Sequence, residues 1–267
     1  MKTILITGAT DGIGLQTAKE LAKQGHALVL HGRNEQKLVR ASNAVRAVAP
    51  EASVQTVCAD LSDLDAVARM AHDLAARLPQ LDVLINNAGV YMTERKTSRD
   101  GFEMTLAVNH LAHFLLTNLL LPSLKKSSAP RVVTISSIVH VTGRIVFDDM
   151  NCEQGFNGYH AYANSKLANA LFALELAHRE PWLTSNSLHP GVIGTKLLHE
   201  AFSMPGDSVV AGARTSVYLA ASPEVVNVTG KYFDNCVAVD AAAQAQDQQL
   251  AQRLWAWSEE AVRAFVD

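Results

Sequence analysis

At 267 residues, with 48% hydrophobic residues and a formal net charge of −3, the chain can bury a full core but lacks the basic excess of a nucleic-acid binder or a polybasic membrane-surface protein. Its three cysteines, Cys58, Cys152 and Cys236, lie far apart with no Cys-x-x-Cys spacing, which argues against a disulfide framework or zinc site and for reduced thiols in a cytoplasmic protein. No membrane insertion is expected either: the apolar run in MKTILITGAT is too short for a signal peptide, and HLAHFLLTNLLLP (110–122) falls short of the ~20 apolar residues of a bilayer span.

In chain order, TILIT (3–7) is the first strand candidate. The helical pattern GLQTAKELAKQG (14–25) follows, with Ala18, Leu21 and Ala22 on one face and Gly25 as its stop. HALVLH (26–31) and SVQTVC (53–58) are the next strands. LSDLDAVARMAHDLAARL (61–78) reads as a helix opened by a capping box of Ser62 and Asp65. LDVLIN (81–86) is a strand, 100–125 one long helix, RVVTIS (131–136) a strand, and 161–180 a helix closed by Pro181. TSNSLH (184–189) and GKYFD (230–234) complete the strands. A C-terminal helix over about 244–265 carries Leu250, Leu254, Trp257 and Ala261 at helical spacing. Strands spaced by helices predict a doubly wound, Rossmann-type parallel sheet of about seven strands, with helices on both faces, in a single domain over 1–267.

TGATDGIG (7–14) lies between the first strand and the first helix. Gly8 allows the tight turn, Gly12 lets backbone approach a phosphate, and Gly14 permits close helix–strand packing. The helix N-terminus then offers free N–H groups to a pyrophosphate, so the motif reads as a dinucleotide fingerprint in its required context. After the second strand, His31 and Gly32 stand where an NAD-binding fold carries an acid, and Arg33 follows. No carboxylate there repels a 2′-phosphate and Arg33 can pair with one, so NADP(H) is the expected cofactor.

GYHAYANSK (158–166) raises the question of which tyrosine is functional. Tyr162 and Lys166 are four apart, about 5–6 Å between Cβ atoms on one helix face. Tyr159 is seven residues from Lys166, about 10 Å along the axis. A nearby ammonium lowers a tyrosine's pKa, so Tyr162 is the acid/base candidate and Tyr159 a pocket or packing residue. Taken alone, the pair also reads as an ordinary amphipathic helix pair. Ser136 and Ser137 point to opposite faces if both are extended, and Asn109 is an awkward amide in a long apolar helix. The histidines, His110 and His113 among them, show no metal spacing; no metal is expected, and these two read as packed or surface residues.

Together, TGATDGIG (7–14), ADL (59–61), NNAG (86–89), VN ending at Asn109, ISS (135–137), YANSK (162–166) and HPGVIGT (189–195) make the chain resemble the short-chain dehydrogenase/reductase family. GKYFDN (230–235) and RLWAWSEE (253–260) are similar to its retinol-dehydrogenase and WW-domain-oxidoreductase branch. The resemblance implies a catalytic set of Asn109, Ser137, Tyr162 and Lys166. Tyr162 would be the acid/base, Lys166 would tune it and hold the ribose, Ser137 would orient the carbonyl, and Asn109 would hold a water that links the lysine to solvent. It implies cofactor contacts from Gly8, Asp11, Gly12, Ile13, Gly14 and Arg33, with Asp60 and Leu61 flanking the adenine. Asn87, Ala88 and Gly89 would line the trough, and Val192 and Thr195 would meet the carboxamide. Asp11 departs from the pattern, since many NADP-using relatives carry a base there.

The activity so implied is NADP(H)-dependent interconversion of an aldehyde or ketone and an alcohol, on a small apolar substrate and in the reducing direction. A catalytically silent NADP(H)-sensing protein acting through a partner is the rival. One wall of the substrate cleft is expected from HVTGRIVFDDMNCEQGFNG (140–158) and the other from KLLHEAFSMPGD (196–207), within a substrate loop over about 196–210, with Leu197, Leu198, Phe202 and Met204 as an apolar lid. Relatives pair through the helices that correspond to 100–125 and 161–180, so a homodimer or homotetramer is the family expectation.

Overall fold

Ile4, Leu5 and Ile6 of β1 (Thr3–Ile6) are fully buried, because a strand covered by helices on both faces has no polar side. β4 (Val83–Asn86) and β5 (Arg131–Ile135) are buried at every residue for the same reason. In the computed structural model, which describes residues 1–196, 198–199 and 205–266, these strands join β2 (Ala27–Gly32), β3 (Val54–Cys58), β6 (Thr184–His189), β7 (Tyr232–Asp234) and β8 (Val237–Val239). They form one sheet in the order β3-β2-β1-β4-β5-β6-β7-β8. Every pairing is parallel except β7 with β8. The strand order reverses between β1 and β4, and doubly wound sheets bind ligands in the crevice outside such a switch point.

Among the described residues the sheet thus has eight strands rather than about seven. The added strand, β8, returns through a two-residue turn in which Asn235 and Cys236 both have positive φ, 46° and 65°, as a tight hairpin of this hand requires. Three residues are too few to display an alternating pattern.

Helices among the described residues include α1 (Gly12–Lys23), α2 (Glu35–Arg46), α3 (Leu64–Arg77), α4 (Met104–Leu106), α5 (Ala112–Leu124), α6 (Gly158–Arg179), α7 (Val209–Ala221) and α8 (Gln248–Val262). Cap chemistry sets their starts. Asp63, not Ser62, caps α3, accepting from the Ala66 N–H at 3.0 Å; the Ser62 N–H and hydroxyl both donate to Asp60 instead. Asn157 caps α6 by accepting from the His160 N–H at 3.0 Å, which brings Tyr159 inside the helix.

α4 continues through a π turn (Ala107–Leu111) into α5. The combined helix Met104–Leu124, 21 residues long, is long and apolar enough to cross a membrane by length and composition, unlike the shorter run read from the sequence; 78% of its most apolar window is buried inside the protein. It flanks the sheet as a core helix.

α8 lies across α5 and α6. Trp255 stacks on Phe172 with ring centroids 5.7 Å apart and meets Phe114 edge-on at 4.8 Å, while His110 Nε2 and Ser258 Oγ hydrogen-bond at 2.8 Å. α6 exposes only His160, His178 and Arg179, and α5 only Pro122. The chain's own C-terminal helix thus covers part of the α5–α6 surface.

Candidate active site

The turn from β1 to α1 is shaped by close approaches. Gly8, at φ 63°, sits so near the next crossover that an added Cβ would lie 2.9 Å from the Ala88 Cα, and one on Gly14 would lie 2.4 Å from the Gly8 carbonyl. A Cβ on Gly12 would meet only the Thr195 side chain, at 3.4 Å. The turn is thus a cradle packed from behind and open in front, the shape a pyrophosphate at a helix N-terminus needs. Asp11 caps α1, its Oδ1 accepting from the Gly12 N–H at 2.8 Å. The structure thus gives Asp11 a helix-starting role.

Thr7 ties the cradle to the next loop. Its hydroxyl oxygen accepts the N–H groups of Asn87 (2.8 Å) and Ala88 (3.0 Å), and Asn87 Nδ2 donates back to the Thr7 carbonyl at 2.7 Å. His31, in β2, stands where an NAD-binding fold carries an acid. Its Nε2–H donates to the Ala59 carbonyl (3.1 Å) and its Nδ1 accepts from the Gly8 N–H (3.2 Å). Burial lowers its pKa to about 4, so it stays neutral. Arg33 and Lys37 stand exposed at this end of the cleft. Asp60 is held by Ser62, and Leu61 is buried beside it.

At the other end lie Ser137, Tyr162 and Lys166. Lys166 Nζ donates to the Ile135 carbonyl at 3.1 Å, as does Asn169 Nδ2 at 3.0 Å, and Nζ lies 5.4 Å from the Tyr162 ring centroid. Ser136 points the other way and donates its hydroxyl to the Lys166 carbonyl at 2.7 Å, pinning α6 to the end of β5. Ser137 opens a 3₁₀ turn (Ile138–Thr142). Two histidines hold that turn: His140 Nδ1–H donates to the Ser137 carbonyl (2.8 Å) while its Nε2 accepts from Ala242 N–H (3.0 Å), and His189 Nδ1 accepts from the Ile138 N–H (3.2 Å). Reading the histidines for metal spacing alone missed this role. Tyr159 does not line the cleft, and its hydroxyl is bonded to Thr142 at 3.1 Å.

One departure concerns charge. Burial pushes the Tyr162 phenol well above the usual tyrosine range and lowers Lys166 to about 8. The spacing predicts a lowered tyrosine pKa, but desolvation of two enclosed groups outweighs the attraction of an ammonium engaged by Ile135. The phenol is therefore protonated at neutral pH, as a proton donor must be.

A single cleft of about 1090 Å³ is lined by every expected site residue except Asn109. Asn109 stands behind it in the π turn. Its Oδ1 accepts from the Val90 N–H (2.8 Å), and its Nδ2 donates to the Val90 carbonyl (3.1 Å) and Ser165 Oγ (2.9 Å). Ser165 in turn donates to the Tyr162 carbonyl at 2.7 Å.

The cleft walls differ in part from expectation. Of the segment after Ser137, only Ile138 and Val139 face the cleft; Ile145 and Phe147 pack instead on the Leu167 and Leu171 cluster. The wall comes from Val90, Met92 and Lys96, on a loop whose sequence carries no periodic signal, and from Met104 and Val108. Tyr91, with its ring 5.7 Å from that of Tyr162, was likewise not singled out. Leu198 lines the opposite wall; Leu197, Phe202 and Met204 lie outside the described residues.

Comparison with known proteins agrees with this geometry. The family profile described as short chain dehydrogenase matches residues 2–206. Retinol dehydrogenase 14 of Homo sapiens is 40% identical over 286 residues, covering 97% of this chain and 85% of that protein. Retinol dehydrogenase 13 of Homo sapiens is 40% identical over 275 residues, covering 96% and 83%. Among solved structures, an uncharacterised protein from Mycobacterium paratuberculosis superposes with a TM-score of 0.82 at 34% identity, covering 98% of this chain and 94% of that one. A short chain dehydrogenase of Shigella flexneri 2a, solved in complex with NADP, gives 0.71 at 27% identity, covering 88% and 97%.

Proposed function

The chain belongs to the short-chain dehydrogenase family, in its retinol-dehydrogenase-like branch, and from that premise we propose that it is an NADP(H)-dependent reductase of hydrophobic aldehydes or ketones. Membership supports the coarser reading, a carbonyl/alcohol oxidoreductase. The observation that carries the finer one is a single cleft lined by the glycine turn and Arg33 as well as by Tyr162, Ser137 and Lys166.

NADPH, when bound, supplies the hydride, and the chain's residues do the rest. Gly8, Gly12, Gly14 and the N-terminus of α1 hold the pyrophosphate. Asp60 and Leu61 flank the adenine, Asn87 to Gly89 floor the trough, and Ile13, Val192 and Thr195 complete it. Arg33, together with Lys37, takes the 2′-phosphate, and neutral His31 adds no repulsion there. Ser137 donates a hydrogen bond to the substrate oxygen, polarising the carbonyl. Tyr162, kept protonated by burial, gives its proton to the alkoxide as it forms. Lys166 has three N–H donors, of which one is engaged by Ile135; the others hold a ribose hydroxyl and return a proton to Tyr162. Asn109 braces the turn of α6 that carries Tyr162. Val90, Met92, Met104, Val108, Ile138 and Leu198 give the substrate end an apolar lining, which suits a hydrophobic carbonyl compound.

The test is NADPH consumption against a panel of apolar aldehydes and ketones, with nucleotide binding read by fluorescence. Tyr162→Phe should lose at least about 10²-fold in turnover while NADPH still binds. Unchanged turnover in that variant would sink the assignment.

A further inference from the structure

One buried side chain joins the nucleotide cradle to the acid/base helix without touching the cleft. His113, in α5, is 1% exposed and is absent from the cleft lining. Its Nδ1 lies 3.0 Å from the Asn109 carbonyl oxygen and its Nε2 2.9 Å from Thr7 Oγ1. A carbonyl only accepts, so Nδ1 carries the proton and Nε2 must accept from the Thr7 hydroxyl. That assignment closes the arrangement around Thr7. Its lone pairs take the N–H groups of Asn87 and Ala88, and its own proton goes to His113 rather than to the Ile85 carbonyl at 3.3 Å. Gly89, next along, is close enough that an added Cβ would lie 3.5 Å from both Asn109 Oδ1 and Lys166 Nζ.

We infer that His113 is a positioning residue with two separable tasks, Nε2 fixing Thr7 and the Asn87–Gly89 floor beneath the nucleotide, and Nδ1–H fixing Asn109 and, through Ser165, the turn that carries Tyr162. The inference rests on the reductase reading above, to which it adds a residue that acts through others. Burial holds the imidazole neutral, its pKa lowered to about 3, with Lys166 on α6, His31 on β2 and His110 on the π turn pushing the same way. The direction of the hydrogen-bond chain is therefore constant across the working pH range. A protonated ring would turn an N–H toward Thr7, force its hydroxyl onto Ile85, and loosen the floor.

Two amides divide the tasks, because asparagine reproduces the reach of Nδ1 and glutamine that of Nε2. His113→Asn keeps a donor for the Asn109 carbonyl and loses the acceptor for Thr7. The NADPH Kd read by fluorescence should then rise about tenfold, the worth of one buried hydrogen bond, with kcat at saturating NADPH nearly unchanged. His113→Gln keeps the Thr7 contact and loses the other. NADPH binding should hold, kcat should fall about tenfold, and the limb of the kcat–pH profile set by Tyr162 and Lys166 should move. Thermal melts accompany each variant.

Equal changes of Kd and kcat in both variants, in step with lost melting temperature, would reduce His113 to a packing residue and overturn the inference. So would variants indistinguishable from the wild type. If the wild type binds NADPH but turns over no carbonyl, the reductase reading fails separately. The Kd difference between the two variants then still supports the positioning role if present, and refutes it if absent.

Discussion

Replacing Lys166 with methionine should stabilise the protein while abolishing its activity. Lys166 is 2% exposed, and burial lowers its pKa from 10.5 to about 8, a preference for the neutral form on the order of 3 kcal/mol. Because the folded pKa is the lower one, the unfolded chain binds more protons between about pH 8 and 10.5, and stability rises with pH through that window. Below about pH 8 both states are charged and the whole penalty is carried. Methionine fills the same length without the charge, and the Ile135 carbonyl keeps Asn169 as a donor, so no acceptor is orphaned. Lys166→Met should therefore be more stable at neutral pH by about 1–3 kcal/mol. That advantage should shrink as pH climbs toward about 10, where the raised pKa values of Tyr162 and Tyr232 begin to act in the opposite sense in both proteins. Urea unfolding of both chains without nucleotide, over a series of pH values, measures the difference directly. A difference that does not vary with pH, or a variant less stable at neutral pH, would refute the account of Lys166 as a destabilising buried charge kept for function.

Arg33→Ala should raise the KM for NADPH about five- to tenfold and leave that for NADH nearly unchanged, because an exposed arginine contributes only a modest, screened interaction to a 2′-phosphate; equal effects on both nucleotides in steady-state kinetics would remove Arg33 from cofactor selection. Trp255→Ala should cost about 3–5 kcal/mol by urea unfolding, since it deletes a ring packed between Phe114 and Phe172. It should also make the chain self-associate in sedimentation experiments by uncovering the α5–α6 face; an unaltered monomer–oligomer balance would show that α8 does not guard that face.

The β1–α1 turn and the long strands were legible because their physics is local. Gly8 and Gly14 face backbone so closely that no side chain fits, and strands covered on both faces read as apolar runs. β8 was not legible, because a three-residue strand has no pattern and exists through its turn and through β7. The start of α3 was misread because Ser62 and Asp63 are both competent caps. Tertiary context, in the form of Asp60 accepting from Ser62, decided between them.

The site divides in the same way. Tyr162 and Lys166 share a helix face, so spacing alone separates them from Tyr159, whose hydroxyl goes to Thr142. Their protonation could not be read from that spacing, since it depends on how completely β5 and the Val90 loop enclose both groups. The tyrosine held protonated and the lysine drawn toward neutrality are shifts of opposite sign with a common cause, desolvation. They leave the phenol as a donor and the amine near its own titration point, the pairing that delivery of a proton to a substrate oxygen followed by its replacement would require. Thr7, His31, His113 and His140, whose roles the sequence alone did not assign, each satisfy polar backbone or side-chain groups that lie far away in the chain. A buried histidine with two dissimilar partners carries no spacing of its own. It becomes recognisable only once the fold brings together the two loops it connects.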